Sequence, residues 1–135
     1  MSVEQLRRDA HRWLLQARDD LEAAQVLVSA GKHAQAAFLS QQAGEKALKA
    51  YWLRLDLDPW GHSLARLIKN LSGEHSAPLE GLLDSALALD KLYIPTRYPD
   101  ALAELTPGEA FTGAEASTAI RQAQEIIERV AQAFD

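Results

Sequence analysis

Apolar residues recur at every third or fourth position from residue 3 to residue 30: Leu6, Ala10, Trp13, Leu14, Ala17, Leu21, Ala24 and Val28 form one stripe. Arg7, Arg8, Arg12, Asp19 and Glu22 fall off that line, so the segment reads as an amphipathic helix. At 1.5 Å per residue it spans roughly 25 residues, or about 38 Å. Ser2 and Gln5 match the start of a capping box, and Gly31 is a natural stop. A second helix is expected from about Lys32 to Asp56, ended by Asp58 and Pro59. The Ala30-Gly31-Lys32 connection is short, so the two helices should run antiparallel as a long hairpin.

The remaining pattern predicts three more helices. One runs from about Ser63 to Leu71, with Ser63 as N-cap and Gly73 as stop. The next runs from about Ala77 to Tyr93, with Ser76 as cap and Pro78 tolerated in the first turn. Between residues 94 and 113 the period disappears among Pro95, Pro99, Pro107, Gly108 and Gly113, which marks a long loop of the kind that often carries function. The last helix starts at Thr112, where Thr112-Gly113-Ala114-Glu115 forms a capping box. It should bury Ala116, Ala119, Ile120, Ala123, Ile127, Val130 and Phe134. No strand pattern or internal repeat is visible, so the expected fold class is all-α.

The second helix is unusual. Ala34, Phe38, Gln41, Glu45, Leu48, Trp52 and Leu55 fall on one side, and Ala36, Leu39, Ala43, Ala47 and Ala50 on the other. Only a narrow sector (Gln35, Gln42, Lys46 and Lys49) reads as wet. A helix apolar nearly all round is expected at the centre of its fold, packed on both sides. Glu45 lies on the bulky stripe, where a carboxylate needs a partner.

Composition narrows the function classes. The chain has 135 residues, the size of one ordinary domain, and no cysteine, which excludes disulfides and thiolate chemistry. No apolar run approaches the ~18 residues of a membrane span, and the polar N-terminus does not resemble a secretory signal. The expected location is cytoplasmic. A net charge of −5 argues against a broad nucleic-acid surface while leaving room for a local basic patch. There is no phosphate-binding glycine loop and no G-x-S-x-G. His11, His33, His62 and His75 never stand at zinc-ligand spacing, so neither a metal nor a cofactor is expected.

Three segments carry candidate chemistry. Within Gln41 to Lys49, Glu45 and Lys49 stand at i,i+4, and Glu45 either anchors a buried polar network with Gln41 and Tyr93 or meets a ligand directly. In Trp60-Gly61-His62-Ser63-Leu64, Ser63 caps a helix, while His62 is either bland or an acid/base or phosphate-contacting group at the helix start. In Tyr93-Ile94-Pro95-Thr96-Arg97-Tyr98-Pro99-Asp100, two prolines bracket Arg97 and Tyr98. Arg97 offers a fork of donors suited to carboxylate or phosphate, and it either neutralises Glu45 or binds a ligand.

Four motifs stand in order: W-x-x-x-A-x-x-D-L (Trp13 to Leu21), F-x-x-Q-Q-A-x-E-K-A-L-K-A (Phe38 to Ala50), H-S-L (His62 to Leu64) and Y-x-x-x-R-Y-P-D (Tyr93 to Asp100). Together they resemble the HEPN domain family over nearly the whole chain. The resemblance implies one HEPN-like domain over residues 1–135, folded as an up-and-down bundle of four to five helices and usually a homodimer. Its small prokaryotic members are often encoded beside a minimal nucleotidyltransferase and act as nucleotide- or substrate-binding helpers, some in toxin–antitoxin-type pairs. Other branches are metal-independent ribonucleases with R-x(4–6)-H. Here Arg54 and His62 have seven residues between them and no histidine follows Arg97, whereas R-Y-P-D is typical of the stand-alone branch.

The expected function is therefore a non-catalytic module that binds a nucleotide or a nucleotidyltransferase partner. Arg97, Tyr98, Asp100, His62, Ser63, Lys46 and Lys49 are its candidate ligand-binding residues. A ribonuclease toxin with an unorthodox Arg/His pair is one alternative, and a purely structural dimerisation subunit is another.

Overall fold

A computed structural model describes residues 2–134 as helices joined by short turns, and no strand occurs among them. The first helix, α1 (Val3–Ser29), starts where the Ser2 hydroxyl accepts the Gln5 amide at 3.1 Å. It ends in a turn in which Gly31 takes a φ of +77° and the Lys32 amide reaches back to the Leu27 carbonyl at 2.8 Å. That pattern closes a helix on a left-handed residue and turns the chain back sharply. Helix α2 (His33–Arg54) therefore lies along α1 as the expected hairpin, and it also packs on the last helix, α6 (Gly113–Ala133). An all-helical bundle with a long N-terminal helical hairpin results.

The apolar character of α2 has the expected consequence. Ala36, Ala37, Ala43, Ala47, Leu48 and Ala50 are wholly buried. Gly44 marks its tightest contact: a Cβ there would stand 2.6 Å from Leu64 Cδ2 and 3.1 Å from Leu89 Cδ1. On the other flank the Trp52 indole donates to the Leu67 carbonyl at 2.9 Å. The Tyr51 hydroxyl donates to the His75 carbonyl at 2.6 Å, and burial raises the Tyr51 pKa above the ordinary tyrosine value. The sector expected to be wet is mostly not. Of Gln35, Gln42, Lys46 and Lys49, only Gln35 is exposed.

Trp13 departs from its expected place in the buried stripe, being 38 % exposed. It lies with Gln16 and Asp20 along the edge of α1, one flank away from the wholly buried Ala10 and Ala17.

The helix expected over 77–93 is broken. Residues 73–75 and 77–79 form single 3₁₀ turns, and α4 (Leu83–Asp90) begins only afterwards. Pro78 lacks a backbone donor, and Gly81 takes a φ of +87°, which a continuous helix does not allow. Ser76 caps no helix; its hydroxyl donates to the Gly73 carbonyl. Arg129 of α6 fastens this stretch by donating to the carbonyls of Pro78 and Glu80, at 3.3 and 2.7 Å. The loop expected over 94–113 likewise holds a 3₁₀ turn (Pro99–Ala101) and the one-turn helix α5 (Pro107–Ala110). Thr106 and Glu109 form a reciprocal capping box there, as Thr112 and Glu115 do at the start of α6.

Among the described residues, no helix is long and apolar enough to cross a membrane.

Candidate functional site

Helix α2 supplies the fixed side of the site. Glu45 is buried, and its carboxylate meets three groups: Lys49 Nζ at 3.2 Å, Gln41 Nε2 at 3.2 Å and His62 Nδ1 at 3.4 Å. Gln41 also reaches the His62 carbonyl at 3.4 Å and accepts from Gln42 at 2.8 Å. The carboxylate expected to need a partner therefore has a hydrogen-bonded network. Arg97 is not part of it; Lys49 and His62 take the place that Arg97 was a candidate to fill. Tyr93 joins through its ring rather than its hydroxyl, stacking on His62 with ring centres 4.9 Å apart and planes 17° from parallel.

Lys46 is similarly committed. It pairs with Asp20 of α1, whose other carboxylate oxygen accepts from Gln16 at 2.9 Å. Lys49 lies against the Trp13 ring, 6.0 Å from its centre. Both lysines, expected to face a ligand from a basic sector, instead join α1 to α2 or hold Glu45.

Ser63 caps helix α3 (Leu64–Lys69), as its position in the sequence suggests. An anion is already seated at that helix start. Asp90, at the end of α4, accepts from the Ser63 hydroxyl at 2.6 Å and from the amides of Leu64 and Ala65 at 2.6 and 3.1 Å. The Ser63 hydroxyl and the helix-start amides that could have held a phosphate are therefore occupied. Nothing local to residues 60–64 signalled Asp90, which lies 26 residues beyond Leu64.

The Arg97 loop is built differently. The amides of Arg97 and Tyr98 both bond to the Ile94 carbonyl, and the Thr96 hydroxyl donates to the Leu92 carbonyl, so the segment is a tight hydrogen-bonded turn. Arg97 is clasped by three rings: its Cζ lies 4.5 Å from Phe38, 4.5 Å from Tyr93 and 5.0 Å from Tyr98. Its Nε donates to the Tyr93 carbonyl at 2.8 Å. Among the described residues, neither Nη atom has a hydrogen-bond partner. The aromatic faces stabilise the cation without using its forked donors. A cleft of about 330 Å³ opens beside it, lined by Ala34, Gln35, Phe38, Thr96, Arg97, Pro107 and Gly108. Tyr98 and Asp100 are exposed next to it in the chain.

The structure thus brings His62, Tyr93, Arg97 and Tyr98 into one connected surface, with Glu45 and Gln41 behind His62. Lys46 and Lys49 belong to the hairpin. Phe38 joins the site without a polar group to mark it in the sequence, its place one turn before Gln41 putting it on the same side of α2. Among the described residues, no three histidine or acidic side chains converge to hold a metal ion.

The long hairpin, the short α3 and α4, the stiff Arg97 turn and the closing α6 define the class: a helical bundle wrapped around one central helix. The HEPN domain model matches residues 10–133, and the chain belongs to the HEPN domain family. No curated protein shows significant similarity to it. Among solved structures, TT1696 from Thermus thermophilus is 41 % identical with a TM-score of 0.86, the match covering 91 % of this chain and 96 % of that one. ST0689, an archaeal HEPN homologue, is 36 % identical with a TM-score of 0.78, covering 93 % and 98 %. A HEPN domain protein from Thermotoga maritima is 31 % identical with a TM-score of 0.67, covering 91 % and 97 %.

Proposed function

We propose that this HEPN protein is a non-catalytic binding module that takes the phosphate of a nucleotide at Arg97 and acts with a minimal nucleotidyltransferase, as a homodimer and in a toxin–antitoxin-type pair. One observation carries the reading: the Arg97 guanidinium is held rigid by three aromatic rings while both Nη donors stay open. Preorganised forked donors suit a phosphate, because little side-chain freedom remains to be lost on binding. In this reading Tyr98 offers a face to the base, His62 a ring nitrogen to the phosphate and Asp100 a carboxylate to the ribose hydroxyls. Lys46, Lys49 and Ser63 support the site from behind, since each is already bonded within the chain.

Calorimetric titration with nucleotides, alone and with the product of the neighbouring gene, tests the proposal. Arg97→Ala should abolish binding while the fold persists. Failure of any nucleotide or of the partner to bind, with Arg97→Ala altering stability alone, would make Arg97 purely structural.

A second reading rests on a separate observation. His62 has Nδ1 on a buried carboxylate, and its ring packs on the same Tyr93 that Arg97 covers. A histidine oriented by a carboxylate and close to an arginine is an arrangement that ribonuclease chemistry can use. Cleavage of RNA by the pure protein, lost in His62→Ala, would favour this reading. RNA left intact after long incubation would remove it.

A further inference from the structure

Among the described residues His62 is the one histidine that pairs with a carboxylate, its Nδ1 lying 3.4 Å from Glu45. With 60 % of its side chain exposed, it also exchanges protons freely with solvent. Histidine is the side chain that changes charge between about pH 5 and pH 8. What sets His62 apart is where that charge appears.

His62 belongs to the loop before α3, yet it touches two other parts of the fold. The first is the Glu45 carboxylate of α2, which Lys49 and Gln41 also hold. The second is the Tyr93 ring, stacked on the imidazole with planes 17° from parallel. Tyr93 is in turn a wall of the Arg97 cage, and its carbonyl accepts from Arg97 Nε at 2.8 Å. The His62 ring centre and Arg97 Cζ lie 4.9 and 4.5 Å from the Tyr93 ring centre, so at most about 9.4 Å separates them, roughly one Debye length at 0.1 M salt. The other charges around His62 are committed, Lys49 to Glu45, and Asp90 to Ser63 and the amides at the start of α3. Asp58, in the same loop as His62, is exposed.

We infer that His62 is a proton-operated latch on the Arg97 cage, and that taking up a proton makes Arg97 a stronger anion site. The inference rests on the reading of Arg97 as an anion site. Two effects act in the same direction. An imidazolium pairs with Glu45 by charge as well as by hydrogen bond, which fixes the His62 ring and, through the stack, the Tyr93 wall. Its charge also adds to the field felt by an anion at the open Arg97 donors. At about 9 Å and an effective dielectric constant of about 40–80, that field is worth roughly two- to fivefold in affinity. One effect opposes them, since two cations then share the Tyr93 ring and each stack weakens. Phe38 and Tyr98 still flank the guanidinium, so the cage holds. Anion affinity is therefore highest with His62 protonated and falls as pH rises.

Two measurements on the full chain, from about pH 5.5 to pH 8, test the latch. Nuclear magnetic resonance of the unliganded protein follows the Arg97 Nε–H signal against the His62 Cε1–H signal. The two should move together with one midpoint. In His62→Gln, which keeps a donor for Glu45 and takes up no proton, the Arg97 signal should stay still. Calorimetry with inorganic sulfate, whose charge is fixed over this range, should show roughly two- to fivefold higher affinity at the acid end. His62→Gln should flatten that dependence, and the control His11→Gln on α1 should leave it as in the parent. No sulfate binding at any pH, or binding that survives in Arg97→Ala, would sink the reading of Arg97 as an anion site and the latch with it. An Arg97 signal indifferent to the His62 titration, or a pH dependence that persists in His62→Gln, would overturn the latch and leave that reading standing.

Discussion

Lys46 and Lys49 on α2 and Arg97 in the loop after α4 are all cations near one central helix, yet the fold uses them in opposite ways. The lysines are partly buried and each meets a carboxylate, Asp20 or Glu45. Arg97 meets aromatic faces and a single carbonyl, and its outer donors stay open. The difference is one of neighbours rather than of charge. A cation facing a carboxylate is committed to holding the fold, whereas one held over π faces keeps its hydrogen-bonding capacity for something else. Availability, more than the presence of basic residues, marks a binding candidate.

Substitutions can break or sharpen that comparison. The largest effect on stability should come from Glu45→Ala, which leaves Lys49 and Gln41 without their shared partner in a buried place. A loss of about 3 kcal/mol is expected, the scale for stranding one member of a buried pair. Urea unfolding followed by circular dichroism measures it. An unfolding midpoint that did not move would mean that Lys49 does not depend on Glu45 and is free for a ligand.

Asp90→Ala comes next. It removes the acceptor for the Ser63 hydroxyl and for the Leu64 and Ala65 amides, and a loss of about 1–2 kcal/mol is expected from the scale of helix-start caps. The same variant would uncover the donors at the start of α3. Phosphate binding gained there would show that Asp90 occupies an anion site.

Asp20→Ala should cost about 1 kcal/mol, because the pair with Lys46 is only partly sheltered from water. Its sharper readout is ligand binding. If freeing Lys46 leaves nucleotide affinity unchanged, the lysine belongs to the hairpin and not to the site.

Arg97→Ala should disturb folding least, by about 1 kcal/mol or less, the scale of partly exposed cation–π contacts. It should disturb nucleotide binding most. Arg97→Lys keeps the charge and loses the fork, so it should bind nucleotide more weakly than the parent; equal binding would mean that charge alone suffices.

The parts of the fold that were legible in the sequence are those with local causes. Helices α1, α2 and α6 follow from their apolar periods, and Ser2, Ser63 and Thr112 act as N-caps where the sequence places them. The same kind of local signal stands at Thr106-Pro107-Gly108-Glu109, which starts α5 inside the segment expected to be a loop. The helix expected over 77–93 forms only from Leu83 to Asp90, because Pro78 and Gly81 break the backbone where apolar spacing alone would continue it. For the candidate site, Glu45 announced itself as a misplaced carboxylate and Arg97 as a stiffened donor. Their partners did not, since no spacing rule links His62 to Glu45 or Phe38 to Arg97.

The amino-acid sequence by itself determined that this protein is helical, that its first two helices form a hairpin, and that α2 is central. Periodicity, caps and turns act within a few residues, so they can be read along the chain. The tertiary structure alone decided which charges are satisfied and which stay open. Asp90 reaches the start of α3, Lys49 rather than Arg97 meets Glu45, and three rings from α2 and the loop after α4 close around Arg97. Those contacts depend on how the helices rotate and cross, which is set by the packing of the whole core.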